Sequence, residues 1–205
     1  MKLYGSPNPR SPNTLKLRVA LAEAGAEYEF VPVDLSKGQQ RAPEFLALNP
    51  HAKIPVLTDG DFALPESGAI LWYVAEKYPS AHLLGEGLRA RAKAHEWCDF
   101  ASTGTYAALG DINTHTIYLP PEKRSPGVVE LAEARLARCL DVLEKVLEGQ
   151  TFLAGEYSIA DIANAAVVSS ARERVPHVFG AQSRPRLDAW LARVTSRPAW
   201  GRALG

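Results

Sequence analysis

The chain of 205 residues is poor in sulfur, with two cysteines and one methionine. Cys98 and Cys139 lie far apart and match neither a zinc-ligand spacing nor a Cys-x-x-Cys redox pair. A disulfide framework is not expected at this size, and both thiols read as half-buried residues of helices. Net charge is also absent: 23 Lys plus Arg balance 23 Asp plus Glu. A nucleic-acid binder needs a basic excess or a basic face, and no sustained basic run occurs. The arginines from Arg172 onward alternate with apolar residues, as on a solvated helix face. No apolar stretch is long enough to span a membrane. Met1 to Gly5 shows neither an apolar signal core nor an Arg-rich transit pattern. These absences point away from nucleic-acid and membrane partners and toward the cytoplasm.

What is present is a chain of 46% hydrophobic residues whose pattern changes near its first third. Lys2 to Gly5 reads as a strand that stops at the turn-rich Gly5-Ser6-Pro7-Asn8-Pro9. Ser11 then stands at a helix N-cap, with Pro12 at the first helical position, where its missing N–H does no harm. Leu17, Ala20, Leu21 and Ala24 recur at helical spacing until Gly25. Tyr28 to Val33 is a second strand, and Pro43 to Leu48 a short helix. Pro55 to Thr58 and Phe62 to Leu64 flank Asp59-Gly60-Asp61 as a hairpin. Ser67 to Tyr78 is again helical. This α/β order ends at a linker, residues 80–87.

Everything after the linker reads as helix. One long helix runs from Leu88 to about Ile117, interrupted around Gly104 and Gly110. Val128 to Leu147 follows, with Leu131, Leu136, Leu140, Leu143 and Leu147 as its core candidates. Ser158 to Arg174, Arg186 to Thr195 and Pro198 to Leu204 complete the series. Ser158-Ile159-Ala160-Asp161 has capping-box spacing and accounts for itself as a helix start.

Three segments carry possible chemistry. Ser11 and Asn13 flank the start of the first helix, where unpaired N–H groups and the helix dipole favour an anion. Two roles stay open for the Ser11 hydroxyl: an ordinary cap, or a hydrogen-bond donor to a bound thiolate. Asn13 can donate as well. Ile54-Pro55 opens a strand; in the cis form it would turn the Ile54 backbone toward an extended peptide, while trans is the default for any X-Pro bond. Glu66-Ser67 begins the third helix. It is either a cap or a reader of an α-amino acid head group, with Ser67 and the helix end taking the carboxylate and Glu66 the ammonium.

In this order the segments resemble the cytosolic glutathione S-transferase family over essentially the whole chain. The matching run is Lys2-Leu3-Tyr4-Gly5, Ser11-Pro12-Asn13, Ala20-Leu21-Ala22-Glu23 and Glu44-Phe45-Leu46-Ala47-Leu48-Asn49-Pro50, followed by Lys53-Ile54-Pro55-Val56-Leu57, Pro65-Glu66-Ser67-Gly68-Ala69-Ile70 and Ser158-Ile159-Ala160-Asp161. The resemblance implies an α/β thioredoxin-like N-terminal domain over residues 1–79 that binds glutathione. An all-α C-terminal domain would span 88–205.

By the same resemblance Ser11 lies where serine-type members keep the hydroxyl that supports the glutathione thiolate, and Asn13 fits bacterial members with a Thr-Pro-Asn sequence. Pro55 would be cis, Ile54 would pair with the cysteinyl backbone, and Glu66 and Ser67 would hold the γ-glutamyl head. Lys53 occupies the place of a polar glutathione contact. Lys37-Gly38-Gln39-Gln40-Arg41 is similar to a phi-like Lys-Gly-Glu-His-Lys stretch, which puts Gln40 and Arg41 near the glycine carboxylate; Gln40 stands in place of an imidazole. Gly104 stands where beta-like members often carry an acidic residue that reaches across the dimer.

Redox members of the wider fold carry Cys-Pro-x-Cys at this helix start. Here Ser11-Pro12-Asn13-Thr14 replaces both thiols with hydroxyls, which removes a dithiol cycle from the protein itself. The implied activity is therefore detoxifying conjugation of glutathione, as co-substrate, to a small hydrophobic electrophile, with no metal. The electrophile pocket would draw on Pro7, Pro9 and Arg10 and on Phe100, Tyr106, Leu109 and Asn113. A homodimer is implied too. Glutathione-dependent isomerisation, dehalogenation or peroxide reduction, and a non-enzymatic ligand-binding or assembly role, are the alternatives.

Overall fold

The computed structural model describes residues 1–205. The chain divides into two compact units, Met1–Leu84 with Ser196–Gly205, and Gly85–Thr195.

The first unit is built on a sheet of four strands in the order β2-β1-β3-β4. Strand β1 (Lys2–Gly5) is central and carries the buried Leu3. It runs parallel to β2 (Glu29–Pro32) and antiparallel to β3 (Val56–Asp59). The parallel pair needs a crossover, supplied by helix α1 (Pro12–Glu23). β3 turns into β4 (Phe62–Pro65) through Gly60-Asp61, with Gly60 at φ 62°. Helix α2 (Pro43–Leu48) brings Phe45 onto Val33 and Val56, with Tyr4, Leu48 and Ile54 around them. Helix α3 (Ser67–Lys77) packs on α1. Ile70, Leu71, Val74 and Ala75 are the buried face that the sequence shows at i, i+1, i+4 and i+5.

The last helix, α10 (Pro198–Leu204), packs on α1. The Arg197 guanidinium grips Glu23 through two bonds of 2.6 and 3.1 Å, and Arg202 donates to the Ala22 carbonyl at 3.0 Å. These ties group residues 196–205 with the first unit. Periodicity alone places them with the helices that precede them, because a bidentate pair 174 residues apart leaves no local signal.

In the second unit, α4 (Gly87–Phe100) and α5 (Tyr106–Asn113) form one run through a π-helical turn, Ala101–Thr105, and end in another, Thr114–Tyr118. Neither glycine breaks the run. A Cβ on Gly104 would lie 3.3 Å from Cys139 Sγ, so this glycine admits the neighbouring helix α6 (Pro126–Val146). Arg135 of α6 donates to the Thr103 carbonyl at 2.5 Å within the π turn. Leu131, expected in the core, is 73% exposed. The buried stripe of α6 runs through Ala132, Leu136, Leu140 and Leu143, and Leu131 lies one residue, about 100°, off it.

Helix α7 (Ile159–Arg174) is buried nearly all round. It opens with the expected capping box, and Asp161 does more than the motif demands. Its carboxylate accepts from Ser158 N at 3.1 Å, Leu153 N at 3.0 Å and Trp190 Nε1 at 2.8 Å. Burial pushes its pKa up, and these donors pull it back. The short α8 (Pro176–Gly180), which no periodicity announces, and α9 (Pro185–Thr195) close the unit.

Candidate active site

The strand register gathers the candidate segments. Tyr4 pairs with Val56, and Val56 pairs with Pro65. Gly5 pairs with Pro32 on the other side. The end of β1, the start of β3 and the end of β4 therefore share one end of the sheet, together with the end of β2. Ser11, Ile54-Pro55, Glu66-Ser67 and the Asp34–Arg41 stretch all depart from that end.

The loop from Ser6 to Ser11 is held by its main-chain N–H groups, most of which donate to side-chain oxygens. Ser6 N donates to Thr14 Oγ1 at 3.0 Å, Asn8 N to Ser6 Oγ at 3.2 Å, and Arg10 N to Asn8 Oδ1 at 3.0 Å. Ser11 N donates to the Asn8 carbonyl at 3.0 Å. Ser11 is the N-cap of α1, at φ −62° and ψ 114°, and its carbonyl takes the Leu15 N–H at 2.7 Å. Its hydroxyl makes no capping bond. Of the two roles left open by the sequence, capping is thus not the one the hydroxyl performs. Asn13 and Thr14 offer first-turn N–H groups with no backbone acceptor, and Ser11 and Asn13 are half-buried. This end of α1 is electropositive and short of acceptors.

Ile54-Pro55 is cis, Pro55 is buried, and the Ile54 N–H and C=O take part in no backbone hydrogen bond. The loop before it is fastened by Asn49, whose buried side chain donates from Nδ2 to the Lys53 carbonyl at 2.7 Å and accepts from His51 N at 3.0 Å. Lys53 is exposed.

Glu66, the N-cap of α3, sits at φ 68° and ψ 109°. A non-glycine residue there costs about 1–3 kcal/mol, and such strain collects at binding sites. Glu66 is exposed, Ser67 half-buried, and neither side chain caps the helix. The N–H groups of Ser67 and Gly68 are left without backbone partners.

The Asp34–Arg41 stretch is folded by Asp34, which accepts from Ser36 N and Oγ at 3.0 and 2.6 Å and donates its own N–H to Gln39 Oε1 at 2.7 Å. Arg41 is exposed, and Gln40 buries an Oε1 that lacks a partner.

Of the remaining expected residues, Pro9 is half-buried and Arg10 exposed in the Ser6–Ser11 loop. In the second unit the Phe100 ring meets Trp97 edge-on at 5.2 Å. Tyr106 is 37% exposed, and the partial burial of its phenol, with Tyr118 adding, raises its pKa and keeps it protonated. Leu109 is wholly buried, and Asn113 buries an unpaired Oδ1. A cavity of about 390 Å³ in this unit is bordered by Lys93, Trp97, Gln150 and Leu153. None of the expected site residues lines it.

Sequence reasoning did not single out Thr14 or Asn49, nor the strain at Glu66. Thr14 falls at helical spacing from Ser11, and Asn49-Pro50 is a stop signal, so each had a plain local explanation that hid its loop contact.

Comparison with known proteins follows the same two parts of the chain. Residues 1–76 match the family model described as glutathione S-transferase, N-terminal domain, and residues 112–198 match glutathione S-transferase, C-terminal domain. Glutathione S-transferase 3 of Zea mays is 36% identical over 204 residues, covering 98% of this chain and 91% of that protein. The disulfide-bond oxidoreductase YfcG of Escherichia coli is 37% identical over 211 residues, covering 98% and 93%. Among solved structures, a glutathione transferase of Burkholderia graminis, with two glutathione molecules bound per subunit, superposes with a TM-score of 0.87 at 32% identity over 99% of this chain and 86% of its own.

Proposed function

Because the chain belongs to the glutathione S-transferase family, we propose that it conjugates glutathione to small electrophiles, with Ser11 and Asn13 supporting the thiolate. One observation carries this reading: the Ser11 hydroxyl stands at the end of α1 without capping it, beside the unpaired N–H groups of Asn13 and Thr14. A free thiol has a pKa of about 8.5 and is mostly protonated at neutral pH. Hydrogen bonds from Ser11 Oγ and Asn13 Nδ2 and the dipole of α1 favour the ionised form. The thiol proton leaves to solvent, the thiolate attacks the electrophilic carbon, and the new S–C bond forms as the leaving group departs or as a double bond is saturated.

The rest of glutathione follows the same end of the sheet. The unpaired Ile54 N–H and C=O suit the cysteinyl main chain, as an added strand would. Ser67 and the free N–H groups of α3 suit the γ-glutamyl carboxylate, and Glu66 its ammonium. Arg41, Gln40 and Lys53 suit the glycine carboxylate. The enzyme acts as a cytoplasmic homodimer in this proposal; recovery in a membrane or exported fraction would count against the location.

The test is steady-state conjugation of 1-chloro-2,4-dinitrobenzene by the wild type, Ser11→Ala, Asn13→Ala and the double variant. The double variant loses about tenfold or more in kcat/KM, and its pH profile moves upward by about one unit. An unchanged rate in the double variant would remove the thiolate role from both residues.

A second reading is favoured by the relative named a disulfide-bond oxidoreductase and by the neighbour that holds two glutathione molecules. Two glutathiones reduce a small disulfide to two thiols and leave as glutathione disulfide. All the sulfur then comes from the substrates, as a chain with no cysteine at positions 11 to 14 requires. Turnover of bis(2-hydroxyethyl) disulfide, without turnover of the aryl halide, would select it.

A further inference from the structure

We propose that Thr14 is a positioning residue of the thiolate site: its buried side chain anchors the loop that carries Ser11. The proposal rests on the glutathione chemistry above and names a residue that does not itself touch the substrate.

Thr14 lies one turn into α1 and is completely buried. A hydroxyl so placed is costly unless it is paired. Its Oγ1 accepts the Ser6 N–H at 3.0 Å, eight residues back in the chain. That bond starts a relay. Ser6 Oγ fixes Asn8 N, Asn8 Oδ1 fixes Arg10 N, and the Asn8 carbonyl fixes Ser11 N. The other branch of Thr14 is used as well. A Cβ on Gly5 would lie only 2.7 Å from Thr14 Cγ2, so the last residue of β1 rests against that methyl. Thr14 therefore holds the strand end with its methyl and the loop with its oxygen. Ser11 makes no side-chain capping bond; its main chain is held on the helix side by its carbonyl, which takes Leu15 N, and on the loop side by its own N–H, which donates to the Asn8 carbonyl.

The two branches can be separated. Thr14→Val keeps the shape and deletes the acceptor, whereas Thr14→Ser keeps the acceptor and deletes the methyl. Ser6→Ala breaks the next bond of the relay at a half-buried position.

In the ligand-free protein, Thr14→Val and Ser6→Ala speed amide exchange over residues 6–11 by about tenfold, and Thr14→Ser stays within about threefold of wild type. In conjugation assays the first two lose about tenfold or more in kcat with KM for glutathione within about twofold, since small misplacements of a reacting group are costly. Their pH profiles move to higher pH, and Thr14→Ser restores both.

Wild-type exchange and a wild-type pH profile in Thr14→Val overturn the proposal. Equal damage in Thr14→Val and Thr14→Ser overturns it too, because it marks Thr14 as a packing residue only. Inactivity of the wild type would instead sink the conjugation reading, and the exchange comparison would still decide whether Thr14 anchors the loop.

Discussion

Glu66 combines a strained backbone with a proposed binding role at a single residue. Its φ of 68° serves no turn that a glycine would normally fill, and its side chain caps nothing. The Ser67 and Gly68 N–H groups beside it have no backbone partner. The strain costs about 1–3 kcal/mol. Glu66→Gly is expected to unfold at higher temperature than wild type, by a few degrees, since a shift of about 1 kcal/mol moves a chain of this size by about 2–4 °C. The same variant is expected to raise KM for glutathione about tenfold or more, through loss of the carboxylate proposed to pair with the γ-glutamyl ammonium. A melting curve and a glutathione titration check the pair, and a lower melting temperature would show that Glu66 is not strained.

Among the side chains that join elements of the first unit, Asp59 is one that titrates. It ends β3, accepts from Tyr73 OH of α3 at 2.6 Å and pairs with Lys77 of the same helix. Phe62, across the turn, packs its ring 5.6 Å from that of Tyr73. The Lys77 bond first, and the Tyr73 bond second, hold the Asp59 carboxyl below its ordinary value. A depressed folded-state pKa gives stability that is fully present above the unfolded value of about 3.9 and is lost as pH falls through the folded one. Asp59→Asn is expected to flatten the fall in melting temperature between about pH 5 and pH 3 relative to wild type. Parallel curves for the two proteins would mean that the cluster contributes nothing on the acid side.

At the scale of the whole molecule, the proposed assembly is a homodimer. Two-fold dimers are the commonest soluble assemblies, and large apolar side chains such as Leu88 and Leu131 stand open to solvent at 84% and 73%. Sedimentation equilibrium at micromolar concentration is expected to give twice the 22.3 kDa chain mass. A single-chain mass there would reject the dimer. In the same experiment Leu88→Glu or Leu131→Glu would locate the contact if either shifts the protein toward monomer.

Much of this protein could be read without coordinates. Turn residues and β-branched or aromatic runs mark the strands, and helical periodicity marks nearly all the helices, because a helix buries one face and the spacing of apolar residues records it. The helix starts at Pro12, Ser67 and Ile159 were legible from Pro, Ser and capping-box signals, which act through neighbouring backbone groups. The candidate segments were legible too, as a series in a fixed order along the chain. What the tertiary structure decided depends on groups far apart in sequence. The register Tyr4, Val56, Pro65 brought three segments to one end of the sheet. The fork from Arg197 to Glu23 drew the last helix onto the first. A residue's phase against the rest of the helix stripe turned Leu131 outward. At Ser11 the sequence offered a cap or a donor and could not choose, because both need a hydroxyl at the same place. The tertiary structure answers one half: the Ser11 hydroxyl makes no capping bond, while the loop before it is tied to the helix from Ser6 N to Thr14 Oγ1.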